Sequence, residues 1–597
     1  MPAQHWWERH PGRLEYELVE LDRLGVAYTV NQRAKADGLL RLELTWNVAD
    51  FGAVDLVVTF PDLYPYFRPD VRAPDLSLAH HQNPFAKNLC LIGRSTANWD
   101  TTDTLAALLT SKLATTISSG SADPPPGPER EMLDEERQAE PFSDYYTYAP
   151  GAIFLIDGSW TIPEVARSGT FALSVKGALR LGQPIPEHVI GTVTEVSDDA
   201  GNILARGASE LTTLFSATTL SGRWTRLDAP VSKDNAKDLW EAAAAVDTFD
   251  APKRQFHDGR RIQVRALVFP EEVSWRDSSD GWVFVVREQG IAVNQHRASK
   301  KAKGRGRANL PQTPPATYWI VRAGRAGRDD LAARVPALAG LAEKAVAVVG
   351  VGALGGTMVD QLARAGIGRI NTLDPDNLDP GNTVRHSAYL DQSGWPKAAG
   401  VGSNAIRRMP YTEADCAVIP LGLVRESADQ ISDADELDRI LDGVHLVIDA
   451  SAEFAVHHLL SDEARRRGLP YLCVTATPGG WGGTVLLVEP ETDGCWFCFA
   501  RHVEDKTIPT PPADQSGPIQ PAGCADPTFT GTGFDLDLVS LHAVRVAVAA
   551  LLRNVPDGYA APPDDVAVLA LRSSDGTPTL PTWTGYQLVR HPHCPCH

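Results

Sequence analysis

The chain has 597 residues, 43% of them hydrophobic and 22% charged, which excludes wholesale disorder or a fibrous architecture and is too long for one hydrophobic core. With 56 Lys and Arg against 75 Asp and Glu, the net charge is −19, which argues against a chain-wide nucleic-acid or anionic-membrane surface. No apolar run approaches the ~20 residues of a spanning helix, and Met1–Leu21 is too charged for a signal peptide, so a cytoplasmic protein without membrane or nucleic-acid partners is expected.

Two stretches divide the chain. Ser121–Pro128 holds four prolines and a glycine, and Glu129–Glu140 after it reads as a solvated helix. From Gln295 to Pro315, Lys300, Lys301, Lys303, Arg305 and Arg307 precede three prolines, a composition that reads as a solvated linker. The expected organisation is α/β multidomain, with domains at 1–140, 141–315 and 316–597.

In the first domain Arg13–Leu24 has helical spacing, and Leu39–Trp46 and Val54–Phe60 read as strands. Then come Tyr64-Pro65, Pro69, His81-Gln82-Asn83, Leu89-Cys90-Leu91 and Trp99. A lone cysteine between leucines reads as a buried residue on its own. The order of elements, however, resembles the α+β ubiquitin-conjugating fold: a helix, a strand meander, a Tyr-Pro turn, a His-Pro-Asn triplet, then the nucleophile. The resemblance implies that Cys90 carries a thioester and that Asn83 supports the oxyanion or the catalytic loop. Two departures bear on Asn83: the triplet is His-Gln-Asn, and the spacing to Cys90 is one residue short. His80 and His81 read as structural.

The middle domain shows short β-branched runs, Arg261–Val268 and Trp282–Val286, and no chemical constellation. It is expected to be an α/β linker domain, either a degenerate adenylation-like fold or a rigid spacer.

The third domain alternates strand and helix as a mostly parallel, Rossmann-like sheet does. Strands are predicted at Lys344–Val349, Gly368–Leu373, Val444–Ile448 and Pro470–Val474, and helices at Gly355–Ala365, Pro396–Met409, Phe454–Arg467 and Asp537–Leu552. Between the first strand and its helix Gly350, Gly352 and Gly355 form G-x-G-x-x-G, whose glycines allow close backbone approach to phosphates at a helix N-terminus. Asp374, at the end of the second strand, can take a ribose hydroxyl. Alone, this loop makes a dinucleotide the default ligand. The polar residues Asp376, Asn382, Arg385 and Lys397 move the reading to ATP split between its α and β phosphates, because the pyrophosphate charge needs neutralising.

These residues resemble the ubiquitin-activating superfamily, including the ThiF/MoeB-type sulfur-carrier adenylyltransferases, which adenylate a C-terminal glycine with ATP and Mg2+. The resemblance implies that Asp374 or Asp376 holds the ribose and that Asn382, Arg385 and Lys397 handle the phosphates. It also implies an arginine supplied by a partner subunit, for which Arg325, Arg328 and Arg334 are candidates. Two departures stand out. The family's second aspartate is missing after Asp449, which leaves magnesium to Asp449 with Glu453 a weaker choice, and the family glutamine after Arg385 is His386.

Cys495-x-x-Cys498 and Cys594-x-Cys596 suit a closed tetrahedral zinc site, which the superfamily often carries; His593 or His597 stands close enough in sequence to replace one thiolate. Cys524 sits in a proline- and glycine-rich loop, placed more like a nucleophile than a core residue, and the resemblance gives it the first thioester. Cys416 and Cys473 read as core. A conjugating domain first and an activating domain last look like the fused conjugation enzyme of bacterial CBASS antiphage operons. That likeness implies ligation of a cGAS/DncV-like nucleotidyltransferase C-terminus, or of a ubiquitin-like protein, to target amines by a homodimer. The alternatives are a sulfur-carrier adenylyltransferase, a conjugation enzyme of another bacterial operon, a non-catalytic nucleotide fold, or an NAD oxidoreductase.

Overall fold

The computed structural model describes residues 5–49, 51–93, 99–121, 139–176, 189–215, 218–247, 255–257, 260–274, 277–290, 315–425, 427, 429–516, 530–553, 555, 558–560 and 562–596. The chain forms two compact units, one of residues 1–208 and 215–325, the other of 326–597 with the short stretch 209–214. No described helix is long and apolar enough to cross a membrane.

The first unit opens with a short helix, Trp6–Arg9, and helix Pro11–Arg23, then an antiparallel meander of β1 (Tyr28–Val30), β2 (Arg41–Val48), β3 (Gly52–Thr59) and β4 (Asp70–Arg72), and ends its first subdomain with helix Leu105–Gly120. Leu42, Leu44, Leu56 and Val58 point inward at alternate positions, as the period-2 pattern of a one-faced sheet demands, and pack with Leu105, Leu109 and Leu113 of the helix. Buried Glu17 ties helix Pro11–Arg23 to the rest. Its carboxylate accepts from Tyr64 Oη and from Leu105 N at 2.8 Å, and pairs with Arg13 at 2.7 Å. The predicted helix over 129–140 falls mostly outside the described residues.

The middle of the chain, expected as an α/β domain, is built mainly of strands. Strands β5 (Ala152–Ile156), β6 (Ser168–Lys176), β7 (Val189–Asp198), β8 (Ile203–Arg206), β9 (Thr218–Arg226), β10 (Gln255–His257), β11 (Arg260–Ser274), β12 (Asp277–Gly290) and β13 (Thr317–Arg325) share one sheet. Because β11 pairs with both β12 and β9, seven of them close in the ring β11-β12-β13-β5-β7-β6-β9, with four antiparallel and three parallel junctions. This is a β-barrel, not a degenerate doubly wound sheet. Alternate residues of β11 fill it (Ile262, Val264, Ala266, Val268), while Leu267 and Phe269 on the other face lie under helix Ala236–Val246. Burial on both faces explains the continuous apolar run that blurred the strand period. The barrel also runs past the expected boundary at 315, since β13 pairs with β12. The basic, proline-rich run thus joins two paired strands rather than two domains, and its residues 291–314 lie outside the described ones.

In the second unit the strand order is β16-β15-β14-β17-β18-β19-β20-β21. The parallel half consists of β14 (Ala345–Val349), β15 (Arg369–Leu373), β16 (Glu413–Ala417), β17 (Leu446–Asp449) and β18 (Tyr471–Ala476); β19 (Gly482–Val488), β20 (Val566–Arg572) and β21 (Pro578–Tyr586) add antiparallel strands. Every residue of β14 is buried, as a central parallel strand requires. The chain leaves β14 for β15 on one side and returns to β17 on the other, so a crevice opens at the carboxyl ends of β14 and β17, the place where such sheets bind ligands.

Candidate active site

The glycine loop lies at that switch point. Gly350 has φ +80°, and a Cβ there would stand 2.6 Å from Ala450 and Ser451 of the loop after β17. A Cβ on Gly355 would collide with the Gly350 carbonyl oxygen, so this glycine lets helix Ala353–Arg364 pack on the loop. Gly352 has nothing within 4 Å of its Cβ position, and as N-cap it offers the helix no side-chain cap. Its open side and the uncapped N–H groups behind it fit a phosphate.

A cavity of about 400 Å3 opens from this loop and collects Asp374, Asp376, Asn382, Arg385 and Lys397. Asp374 is 5% exposed; its carboxylate accepts from Val351 N at 2.8 Å and Asp376 N at 2.9 Å, which fixes the loop against the end of β15. Burial pushes its carboxyl above the usual range, against the pull of those N–H groups and of Lys397. Asp376 is exposed and pairs with Lys397 Nζ at 2.7 Å. Asn382 spends its side-chain oxygen on Asp379 N at 3.0 Å in a reciprocal cap with the Asp379 carboxylate, leaving its –NH2 for a ligand.

The structure also places residues to which the sequence assigned no role. His386 is buried: its Nδ1 accepts from Ala388 N at 2.9 Å, so its Nε2 carries the hydrogen it donates to the Val351 carbonyl at 2.7 Å. Burial lowers its basicity and keeps it neutral. Ser451, His457 and Thr475 line the cavity too. None has a motif signal, because their placement comes from where β17 and β18 end. Asp449, expected to hold magnesium, is 0% exposed and does not line the cavity. One carboxylate oxygen accepts from Ser451 N at 3.1 Å and Ser451 Oγ at 2.8 Å; the other faces His457 Nδ1 at 2.9 Å and Tyr471 Oη at 2.7 Å. Its carboxylate anchors the cavity wall from below. Glu453 is exposed at the start of helix Phe454–Arg467. Of the candidate arginines, Arg328 stacks 5.2 Å over Tyr411, and Arg325 and Arg334 are exposed.

Cys495, Cys498, Cys594 and Cys596 converge. Cys495 Sγ lies 3.8 Å from Cys498 Sγ and 3.6 Å from Cys594 Sγ, and the sulfurs of Cys495, Cys594 and Cys596 are all within 4.8 Å of one another. A tetrahedron with Zn–S near 2.3 Å has S···S edges of about 3.8 Å, so Cys495, Cys594 and Cys596 stand close enough to share one metal ion, while Cys498 lies beside Cys495 and outside that mutual group. His458 Nε2 stands 3.7 Å from Cys596 Sγ, a neighbour that its sequence distance hid, while His593 packs beside His591. His597 and Cys524 lie outside the described residues. Cys473 is buried, as expected of a core thiol, whereas Cys416 is only half-buried on the edge strand β16.

In the first unit Cys90 is exposed and lines a second cavity, of about 510 Å3, with Asn83, Arg68 and Asp70. Cys90 N–H donates to the His81 carbonyl at 2.8 Å, and Arg68 Nη1 holds the Gly93 carbonyl at 2.7 Å, so the cysteine loop is fixed on both sides. Asn83 Oδ1 accepts from Phe85 N at 2.9 Å and Ala86 N at 2.8 Å. The asparagine therefore builds the turn leading to Cys90, with its –NH2 left over. Gln82, where the family triplet has proline, is buried and ties Leu78 N to the Ala73 carbonyl at 2.9 and 3.0 Å.

Residues 330–551 match the ThiF family, and residues 29–154 match Prokaryotic E2 family B. Over 185 residues, 30% of this chain and 50% of its own length, the sulfur carrier protein ThiS adenylyltransferase of Bacillus subtilis (strain 168) is 28% identical. Along nearly the whole chain run two uncharacterized proteins of Sinorhizobium fredii (strain NBRC 101917 / NGR234). y4oA is 28% identical over 99% of this chain and 97% of its own, and y4qC is 30% identical over 97% and 96%. The chain belongs to the family of y4qC and y4oA, as a fused protein in which a bacterial E2-like domain precedes a ThiF-type adenylation domain.

Proposed function

We propose that the chain activates the C-terminal glycine of a protein with ATP, passes it from Cys524 to Cys90 as a thioester, and joins it to target amines. The observation that carries this reading is the convergence of Arg385 and Lys397 on the open side of the Gly350–Gly355 loop, in a chain whose E2-like part exposes a cavity-lining cysteine. The glycine carboxylate attacks the α-phosphorus and pyrophosphate leaves; the two cations and the helix N-terminus offset its charge. Asn382 –NH2 adds a donor, and Asp374 or Asp376 takes the ribose. Asp376, the exposed carboxylate of the cavity, is open to the magnesium that accompanies ATP, and Asp449, whose carboxylate stands with His457 and Cys473, is the second candidate.

The acyl group then moves to the Cys524 thiol with loss of AMP, and to Cys90 by thioester exchange. The four clustered cysteines would hold zinc, which supplies a structural cross-link. The enzyme works as a homodimer, and the activated protein is the cGAS/DncV-like nucleotidyltransferase of an antiphage operon, in keeping with the order of the two domains. An arginine of one copy, Arg325, Arg328 or Arg334, completes the site of the other.

A non-reducing gel tests this. The chain is incubated with ATP, magnesium and the C-terminal-glycine protein encoded beside it, as wild type, Cys524→Ala and Cys90→Ala. The expected result is an ATP-dependent, thiol-sensitive adduct that persists in Cys90→Ala and vanishes in Cys524→Ala, and that is lost when the partner's terminal glycine is removed. An adduct indifferent to both cysteines defeats the relay. Pyrophosphate exchange with no adduct moves the reading to a sulfur-carrier adenylyltransferase.

A further inference from the structure

The segment that leads from the E2-like part into the barrel crosses the Cys90 cavity, which Glu140, Asp144 and Tyr145 line. It is pinned there by two adjacent carboxylates of β11. Glu272 Oε2 accepts from Glu140 N at 3.2 Å and meets His80 Nε2 at 2.9 Å, and Glu271 accepts from Ser143 N at 2.8 Å and Ser143 Oγ at 3.0 Å. Glu140 in turn faces the cysteine loop. Its two oxygens accept from His81 N at 3.0 and 2.9 Å, His81 Nδ1 lies 3.3 Å away, and Tyr145 Oη donates to Oε2 at 2.7 Å. His81 is the residue whose carbonyl holds Cys90 N, and it sits at φ +62°, so this contact has a backbone cost that the fold meets.

Burial alone would raise the Glu140 carboxyl; the hydrogen bonds from His81 and Tyr145 outweigh it and keep the group ionised. Tyr145 moves the other way. Burial, then Glu140, then the nearby Cys90 hold its hydroxyl protonated. With its hydrogen committed to Glu140, the Tyr145 oxygen has only lone pairs to offer the cavity.

We propose that Tyr145 is the residue that receives the acceptor amine at a Cys90 thioester, with Glu140 as its positioning residue; this rests on the conjugating reading above. The acceptor class is a primary alkylamine. It gives one proton to water on arrival, and its nitrogen attacks the thioester carbonyl. The N–C bond forms, the C–S bond breaks with its electron pair on sulfur, and the surplus nitrogen proton passes to that sulfur, leaving an amide and the Cys90 thiol. Between attack and proton loss the nitrogen is positively charged, and the Tyr145 oxygen, polarised by donation to ionised Glu140, accepts a hydrogen bond from it. A thiolate attacking the same carbonyl develops no positive charge and gains nothing from Tyr145.

That contrast is the test. The full chain carrying Cys524→Ala is loaded without ATP by exchange with a Gly-Gly-terminated peptide as its 2-mercaptoethanesulfonate thioester, and the position is mapped by mass spectrometry. Discharge is then timed with Nα-acetyl-lysine methylamide and with dithiothreitol. Tyr145→Phe and Glu140→Gln are expected to slow discharge to lysine tenfold or more relative to dithiothreitol. Equal losses with both nucleophiles, no loss with either, or a Cys90 that never takes the peptide overturns the assignment. Because loading bypasses adenylation, failure of the activating reading shows separately, as absence of pyrophosphate exchange in the wild type.

Discussion

Lys397 Nζ lies 2.7 Å from Asp376 Oδ2, so the ammonium assigned to the phosphates is held by the carboxylate beside it until a more highly charged partner arrives. The Lys397 side chain is 14% exposed and that of Asp376 65%, which fixes the lysine and leaves the aspartate free to swing. Lys397→Ala is expected to lower ATP–pyrophosphate exchange about a hundredfold, the usual cost of losing one preorganised charge partner at a phosphoryl centre. Asp376→Asn keeps the lysine in place and costs less. A Lys397→Ala enzyme that exchanges at the wild-type rate excludes the lysine from the phosphate site.

Gly352 and Gly355 are three residues apart in the same motif and do different things. Gly355→Ala forces a methyl into the Gly350 carbonyl oxygen, a backbone clash with a cost of about 1–3 kcal/mol, read as a lower melting temperature with or without ATP. Gly352→Ala meets no protein atom within 4 Å, so the fold keeps its melting temperature while ATP affinity falls. Titrations of both variants with ATP separate the two roles.

That pair shows what was legible in the sequence. The strands, the glycine loop and the cluster of Asp374, Asp376, Asn382, Arg385 and Lys397 follow from periodicity and local motif chemistry, and the helix predicted at Phe454–Arg467 has those bounds in the structure. The barrel was not legible, because strands buried on both faces lose the period of two, and a charged, proline-rich run looks the same between strands as between domains. The burial of Asp449 was not legible for a related reason: its place at a strand end is visible, but its partners Tyr471 and His457 come from neighbouring elements. Glu140 and Tyr145 carry no motif at all, since their meeting with His81 is purely tertiary.

Asp449 leads to a stability prediction. Removing its carboxylate takes the acceptor from His457 Nδ1 and from Ser451 N and Oγ, while Tyr471 Oη keeps the His457 carbonyl at 3.1 Å, and each unmet donor costs about 1–3 kcal/mol. Asp449→Ala should therefore lose at least about 3 kcal/mol in denaturant unfolding, with or without magnesium. If the loss appears only when magnesium and ATP are present, the residue is a metal ligand after all.

His386 leads to a pH prediction. Burial lowers its pKa from 6.5, with Lys397 adding to the shift and the Val351 carbonyl opposing it. The unfolded chain then binds the proton more readily than the folded one, so stability is complete above pH 6.5 and is lost as pH falls through that value toward the lower folded pKa. His386→Gln removes this contribution, and the wild-type-minus-variant difference cancels His445 and His542, which burial lowers as well. Melting temperatures of the two proteins should diverge on acidification, the wild type falling faster; parallel curves mean that His386 does not titrate in this range.

The cysteine cluster ties the start of helix Trp496–Glu504 to a segment 99 residues later, and Arg465 of helix Phe454–Arg467 reaches the Cys596 carbonyl at 3.2 Å. A cross-link closing a loop of that length restricts the unfolded chain by about 4–5 kcal/mol if metal thiolates act as a disulfide would. One zinc per chain is therefore expected by elemental analysis, and chelation should lower the melting temperature of the C-terminal unit by several degrees and restore it on adding zinc. Cys498→Ser and Cys594→Ser should each do the same without chelator, because one lost thiolate opens a closed tetrahedral site. A chain that purifies without zinc and melts identically in chelator has instead a packed thiol cluster, and its stability there rests on the surrounding apolar residues Tyr471, Trp496 and Leu588 alone.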